Sequence, residues 1–285
     1  MQPSKAEQTL YQALNDYLRE HQEERGLKLT RNNLLMRAGS SPKALADSLR
    51  NLEKRFKHTE IKSLIQKASK IQQVEKAKQL IALLKKSTQK TLVFVTHRET
   101  QAYLATCLSE GDIAFAEFRG DMSLKEKDES IESFRELVPV LLTSETGGEG
   151  RNIQFANVIM NYDLPWNPMK IEQRIGRVHR IGQTQDVFIF NFCIKDSIEE
   201  YILRVLHDKI NMFELIVGEI ESILGNLNDD FDFSETVMSL WLKNQSQNEL
   251  NTAFNGLADD LLDAKNQYKE TSELDEQIFG EDFEA

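Results

Sequence analysis

Only two cysteines, Cys107 and Cys193, occur in 285 residues, and they have no metal-ligand spacing. That excludes a disulfide framework and fits core thiols in a reducing cytosol, so a cytoplasmic location is expected. The five histidines, His21, His58, His97, His179 and His207, are likewise not paired at zinc spacing, and no metal site is expected. No apolar stretch approaches the roughly 20 residues that cross a bilayer, and the polar start at Met1 lacks a signal peptide's apolar region. No membrane partner is expected. There is no internal repeat. Also absent are a Gly-x-x-x-x-Gly-Lys-[Ser/Thr] loop and an Asp-Glu pair on a strand, the parts that hold a nucleoside triphosphate and its Mg²⁺.

What is present describes a packed α/β protein. With 40% hydrophobic residues the chain can bury a core. Five apolar segments read as strands: Thr91–Val95, Ala114–Phe118, Val140–Thr143, Val158–Tyr162 and Val187–Cys193. Helical patterns alternate with them at Glu99–Ser109, Ser123–Phe134 and Pro168–Arg180, predicting a parallel sheet covered on both faces. Ile71–Lys86 would be the leading helix, and Asp196–Glu221 a long exit helix capped by Asp196 or Ser197. The net charge of −11 is uneven: residues 219–285 hold 17 Asp or Glu against 3 Lys or Arg, a balance of −14 that leaves +3 for residues 1–218. Such an acidic tail reads as a solvated helix or flexible end, or as an internal mimic that shields a nucleic-acid groove.

The segment 167–183 carries the sharpest chemistry. Asn167 suits a helix N-cap and Pro168 its first position. At about 100° per residue, Gln173, Arg177 and Arg180 share one face, while Ile171, Ile175 and Val178 cluster opposite. Two guanidinium groups a turn apart suit the spread negative charge of a phosphate; an ordinary amphipathic surface helix is the plain alternative. Upstream, the strand Val140–Thr143 runs into a glycine-rich turn with Gly147, Gly148 and Gly150 before the strand at Val158. Backbone amides at such a turn can approach a phosphate chain closely.

In this order the motifs resemble those of the second RecA-like lobe of Swi/Snf-like, superfamily-two nucleic-acid-dependent ATPases, over roughly residues 88 to 210. Thr143–Asn152 is similar to helicase motif V, Asp163–Pro168 to its Swi/Snf-type extension, and Gln173–Gln183 to motif VI with its His-Arg-Ile-Gly-Gln ending. Thr91–Arg98 resembles motif IV, and Phe118–Ser123 the next short nucleic-acid-contacting motif. The resemblance implies a RecA-like helicase C-terminal lobe with flanking helical segments. It makes Arg177 and Arg180 arginine fingers toward the γ-phosphate of ATP, with Gly150, Asn152 and Gln173 near the nucleotide. Many relatives carry Asp where Asn152 stands, and a neutral amide can still hydrogen-bond a ribose hydroxyl. Thr96, His97, Gly120, Asp121, Thr143, Ser144, Thr146 and Gly147 match positions that hold one strand's sugar-phosphate backbone without reading bases. Trp166 matches a tryptophan placed against the duplex, its alternative being a buried anchor for the strand-to-helix turn.

The same resemblance implies a division into a helical inter-lobe segment (1–66), the lobe (67–218) and an acidic tail (219–285). ATP with Mg²⁺ would be bound mainly by a first RecA-like lobe in the same or a separate polypeptide, so this chain alone is expected not to hydrolyse ATP. It would be a piece of a longer protein, a split-gene subunit or a truncated frame. The expected partners are that first lobe, double-stranded DNA or RNA, and RNA polymerase. A non-catalytic nucleic-acid- or polymerase-binding module is the competing expectation.

Overall fold

The computed structural model describes residues 1–144, 153–179, 183–209, 211–212, 219–227 and 231–279, the side chains of 208–209 and 274–279 excepted. Two compact units result: residues 1–165 with 174–197, and residues 166–173 with 198–285.

In the first unit, β1 (Thr91–Phe94), β2 (Phe115–Phe118), β3 (Val140–Thr143), β4 (Val158–Asn161) and β5 (Phe188–Asn191) form one sheet in the order β2-β3-β1-β4-β5, every pair parallel. All five expected strands are present, Val140–Thr143 with its expected bounds and the others shorter by a residue or more at one or both ends. β1, β3 and β4 are buried at every position, so their apolar runs are continuous rather than alternating. Successive side chains still point to opposite faces. Val93 and Val95 join a core with Leu80, Leu104, Leu108 and Met160, whereas Leu92 and Phe94 join another with Phe118, Phe134, Leu141 and Ile159.

Helices α6 (Glu75–Leu84), α7 (Arg98–Glu110) and α8 (Leu124–Glu136) cover the sheet. Ser123 starts α8 with a capping box, accepting from the Glu126 amide while the Glu126 carboxylate accepts from the Ser123 amide. Before the sheet come α1 (Lys5–Glu20), α2 (Arg25–Lys28), α3 (Arg31–Ser40), α4 (Pro42–Glu53) and α5 (Thr59–Lys70). They lie in the same compact unit as the sheet, because Leu45, Leu49, Ile61 and Leu64 bury their helices' apolar stripes.

Helix α9 (Pro168–Ile175) begins as expected, with the Asn167 Oδ1 accepting from the Met169 amide at 2.9 Å. It stops five residues short of Arg180. Gly176, a poor helix former, follows its last residue. The amides of Arg177 and Val178 then turn to the carbonyls three residues back, tightening the end.

The second unit is helical. The expected exit helix is broken: α10 (Ile198–Arg204) passes into a π-helical turn at Val205–Lys209, and Asp196 has φ of 60°. Ser197 donates its hydroxyl back to the Ile194 carbonyl at 2.7 Å. The acidic stretch folds into α11 (Glu219–Gly225), α12 (Phe233–Lys243) and α13 (Gln247–Phe279). It is not a loose end: Tyr201 of α10 meets Trp241 at 5.8 Å and Phe254 at 4.8 Å between ring centroids. The apolar positions are spaced for packing while the carboxylates Asp260, Asp263, Glu270 and Glu273 face water. Among the described residues, no helix is long and apolar enough to cross a membrane.

Candidate nucleic-acid and nucleotide interface

Parallel strands put all their carboxyl ends on one edge of the sheet, where the connecting turns gather. The tips of β1, β2 and β3, adjacent in the sheet, therefore bring together Thr96 and His97, Gly120 and Asp121, and Thr143 and Ser144. They do so with unequal exposure. Gly120 and Asp121 face solvent, Thr96 and Ser144 are half-buried, and His97 and Thr143 are interior. Thr143 donates its hydroxyl to the Ser144 carbonyl at 3.1 Å, and its own carbonyl accepts from the Val95 amide at 2.9 Å. His97 is the residue before α7, its carbonyl accepting from the Gln101 amide at 2.9 Å. These two residues shape the tips more than they present a surface.

Asp121 does not stand alone. Arg119 donates Nε–H to one carboxylate oxygen at 3.2 Å, and the Arg98 guanidinium lies 3.2 Å from the other. The hydrogen bond from Arg119, with both positive charges nearby, holds the Asp121 carboxyl below the usual aspartate range. Arg119 also reaches Glu117 at 2.7 Å. Arg98 and Arg119 lie within the motifs but are not among the candidate site residues read from the sequence. With Lys127, which donates to the Gly120 carbonyl at 3.2 Å, they are cations of this rim.

A second polar group fills the switch point of the sheet. The connection after β1 leads to one side and that after β4 to the other, which in open α/β sheets leaves a crevice at the strand ends. Here the protein's own side chains occupy it. Asp163, just past β4, accepts from the Thr96 amide at 2.8 Å and the Ser40 hydroxyl at 3.0 Å. Its other oxygen lies 3.9 Å from the buried Lys76 ammonium, which donates to the Gly39 carbonyl at 2.8 Å. Arg174 of α9 donates to the Asp163 carbonyl at 2.7 Å and the Asn161 Oδ1 at 2.9 Å. Its guanidinium also approaches the Thr96 hydroxyl at 3.4 Å and sits 5.0 Å from the Phe94 ring centroid. Neighbouring Tyr162 is fully enclosed, so desolvation pushes its phenol well above the ordinary range and keeps it neutral.

For the nucleotide side, Gln173 is exposed on α9, whereas Arg177 is buried in the turn beyond the helix. The charged face drawn from helical projection is therefore corrected: the helix ends before Arg177, and the two residues differ in exposure. Arg180, Thr146, Gly147, Gly150 and Asn152 lie outside the described residues. Trp166 is enclosed, in the alternative role of interior anchor rather than as a ring open to a duplex. Gln183, at the close of the same motif, braces the scaffold, with its amide nitrogen 3.0–3.3 Å from the carbonyls of Gln154, Ala156 and Val178. His179 is exposed.

Comparison with known proteins agrees with this architecture. The helicase conserved C-terminal domain matches residues 72–182. The chain is 40% identical over 197 residues to the Bacillus subtilis (strain 168) protein named "Uncharacterized ATP-dependent helicase YqhH", covering 69% of this chain and 35% of that protein. It is 41% identical over 130 residues to the RNA polymerase-associated protein RapA of Proteus mirabilis (strain HI4320), covering 44% of this chain and 13% of the relative. The chain thus spans a minor part of both. Among solved structures, the C-terminal part of the Fun30 ATPase domain superposes with a TM-score of 0.53 at 20% identity, covering 71% of this chain and 86% of that one, a likeness of fold. Residues 72–182 thus match the helicase conserved C-terminal domain family and are carried on a five-stranded parallel lobe of RecA-like form.

Proposed function

We propose that this chain supplies the second motor lobe of a Swi/Snf-like, nucleic-acid-dependent ATPase that translocates along duplex DNA or RNA. ATP and Mg²⁺ would be bound mainly by a first lobe bearing the phosphate-binding loop, which these 285 residues lack. Arg177 and Arg180 would act as arginine fingers toward the γ-phosphate, assisted by Gln173, Gly150 and Asn152. Thr96, Ser144, Gly120, Thr146 and Gly147, with Arg98 and Arg119, would hold the backbone of one strand. The names of the similar YqhH and RapA proteins support nucleotide-driven work and an RNA polymerase partner.

One observation carries the reading. Arg174 ties α9 to Thr96 at the tip of β1 and to the backbone of Asp163, and Arg177 follows three residues later. The Arg177 amide bonds the Arg174 carbonyl at 3.3 Å, so a force on Arg177 from a phosphate would pass through that turn and the Arg174 side chain to Thr96. Such a link couples hydrolysis to movement without separate machinery.

The test is Arg177→Ala in the ATPase assembled with its first lobe. ATP binding should persist while turnover falls about a hundredfold or more, the scale of a finger residue. Because Arg177 is buried, thermal unfolding of the variant must be measured alongside. Near-normal turnover in a folded variant would overturn the assignment. The second reading, a non-catalytic module that binds polymerase or nucleic acid, rests on the RapA likeness and predicts that the same substitution leaves the bound complex intact and has no turnover to lose.

A further inference from the structure

Far along the chain from the motifs, three metal-binding side chains converge that sequence spacing gave no reason to group. His21 caps the end of α1, Glu24 precedes α2, and His58 precedes α5. The Glu24 Oε2 lies 3.8 Å from the His21 Nδ1 and 3.7 Å from the His58 Nε2, and all three donor atoms fall within 4.8 Å of one another. We propose that His21, Glu24 and His58 bind one divalent transition-metal ion of the zinc class, clasping the end of α1 to the starts of α2 and α5.

The donor geometry fits such an ion. Zinc takes imidazole nitrogen and carboxylate oxygen at about 2.0–2.2 Å, which places tetrahedral donors about 3.3–3.6 Å apart. The two separations to the carboxylate need to close by a few tenths of an ångström, and the separation of the two imidazole nitrogens, within 4.8 Å, by as much as about 1.5 Å through rotation of the rings. Two nitrogens and one oxygen suit zinc and its neighbours, whereas calcium and magnesium take oxygen ligands. The imidazoles stack at 4.3 Å between centroids with an interplanar angle of 17°, turning their edges to the same carboxylate.

Two further observations point to a ligand. The His58 Nδ1 meets the Tyr17 hydroxyl at 3.0 Å, the kind of outer contact through which, with Nδ1–H donating to the hydroxyl oxygen, a metal-bound imidazole keeps Nε2 for the ion. The His21 Nε2 is buried with no hydrogen-bond partner among the described residues, so hydrogen bonding does not account for that ring's position. Beside the cluster the Phe56 ring packs onto Gly26, where a Cβ would meet its Cζ at 2.6 Å, and the ring lies 5.7 Å from that of His58. The three side chains remain 24–34% exposed, leaving a fourth position open to water.

The experiment uses the full chain freed of metal by chelation. Titration with Zn²⁺ in a calorimeter should give one equivalent bound at about 1 μM or tighter, and Zn²⁺ should raise the melting temperature. Co²⁺ should give the visible bands of a tetrahedral nitrogen and oxygen site. His21→Ala, His58→Ala and Glu24→Gln should each weaken binding by about tenfold or more and abolish the Zn²⁺-dependent rise. Should an alanine variant fail to fold, as judged by far-ultraviolet circular dichroism, His21→Gln and His58→Gln keep side-chain volume and carry the test. Absence of stoichiometric binding, or unchanged binding in the folded variants, overturns the proposal. So does a cobalt–thiolate charge-transfer band, which would place the metal on Cys107 or Cys193.

Discussion

Two clusters of charge sit at the carboxyl ends of the same parallel strands and obey different physics. Around Asp163 the groups are interior: Lys76 is 1%, Arg174 2% and Asp163 4% exposed, and a lattice of amides, hydroxyls and carbonyls surrounds them. Around Asp121 the side chains are open, with Arg98 78%, Asp121 46% and Arg119 43% exposed. In the interior cluster each charge has lost its water and depends on named partners, so it acts as a fixed part of the scaffold. On the rim, water and salt screen each charge, and a phosphate can exchange for a carboxylate at little cost. Residues from the same helicase-like motifs thus divide into those that set the strand tips and those that can meet a ligand. Motif membership alone does not say which.

The largest effect should come from breaking the interior cluster. Asp163→Ala removes the carboxylate 3.9 Å from the buried Lys76 ammonium and the acceptor of the Thr96 amide and the Ser40 hydroxyl. Loss of one partner of a buried pair costs about 3–5 kcal/mol. Urea unfolding of the variant should show a loss on that scale, and Lys76→Met in the same chain should restore part of it. A loss below about 1 kcal/mol would mean the cluster is not the scaffold described above.

That cluster also shows where the sequence was legible and where it was not. The five strands, the Asn167 cap and the Ser123 start of α8 were readable because each depends on neighbours within a few residues. The roles of Arg174 and Asp163 were not. A guanidinium becomes a bolt or a finger through what lies across space, here Thr96, 78 residues away. The meeting of His21 with His58 failed to register for the same reason, being set by the packing of α1 on α5. The end of α9 at Ile175 was open to a local reading through Gly176, but the periodicity of apolar residues outweighed it. In the acidic tail, charge count concealed Phe233, Trp241 and Phe254, whose burial decides that the segment folds.

A smaller effect is expected on the rim, and of a different kind. Arg98→Ala and Arg119→Ala should each leave unfolding free energy within about 0.5 kcal/mol of the parent, as surface substitutions do. Each should instead weaken duplex binding uniformly across sequences and reduce the salt dependence by about one phosphate contact, a change of about 0.9 in the slope of log K against log salt. If affinity and slope are both unmoved, the rim cations do not meet the backbone, and the strand grip must be sought elsewhere.

The smallest change is Asp121→Asn, and its sign separates the two kinds of charge most cleanly. Asp121 now competes with any phosphate for Arg98 and Arg119, so removing its charge should tighten nucleic-acid binding a few-fold at low salt and hardly at all at high salt. A structural carboxylate like Asp163 would behave oppositely, since its loss disorders the site. The pH dependence follows from the lowered Asp121 carboxyl. A group whose pKa is lower folded than unfolded contributes stability above the unfolded value of about 3.9 and loses it as pH falls through the folded value. Any stability difference between parent and Asp121→Asn should therefore be constant from neutral pH down to about 4 and shrink below it. Asp121 is half exposed and screened by water, so the difference is small and melting curves at low ionic strength are the suitable measure. A difference that persists unchanged well below pH 4 would show that the carboxylate charge, and with it the competition for Arg98 and Arg119, is not what the substitution removes.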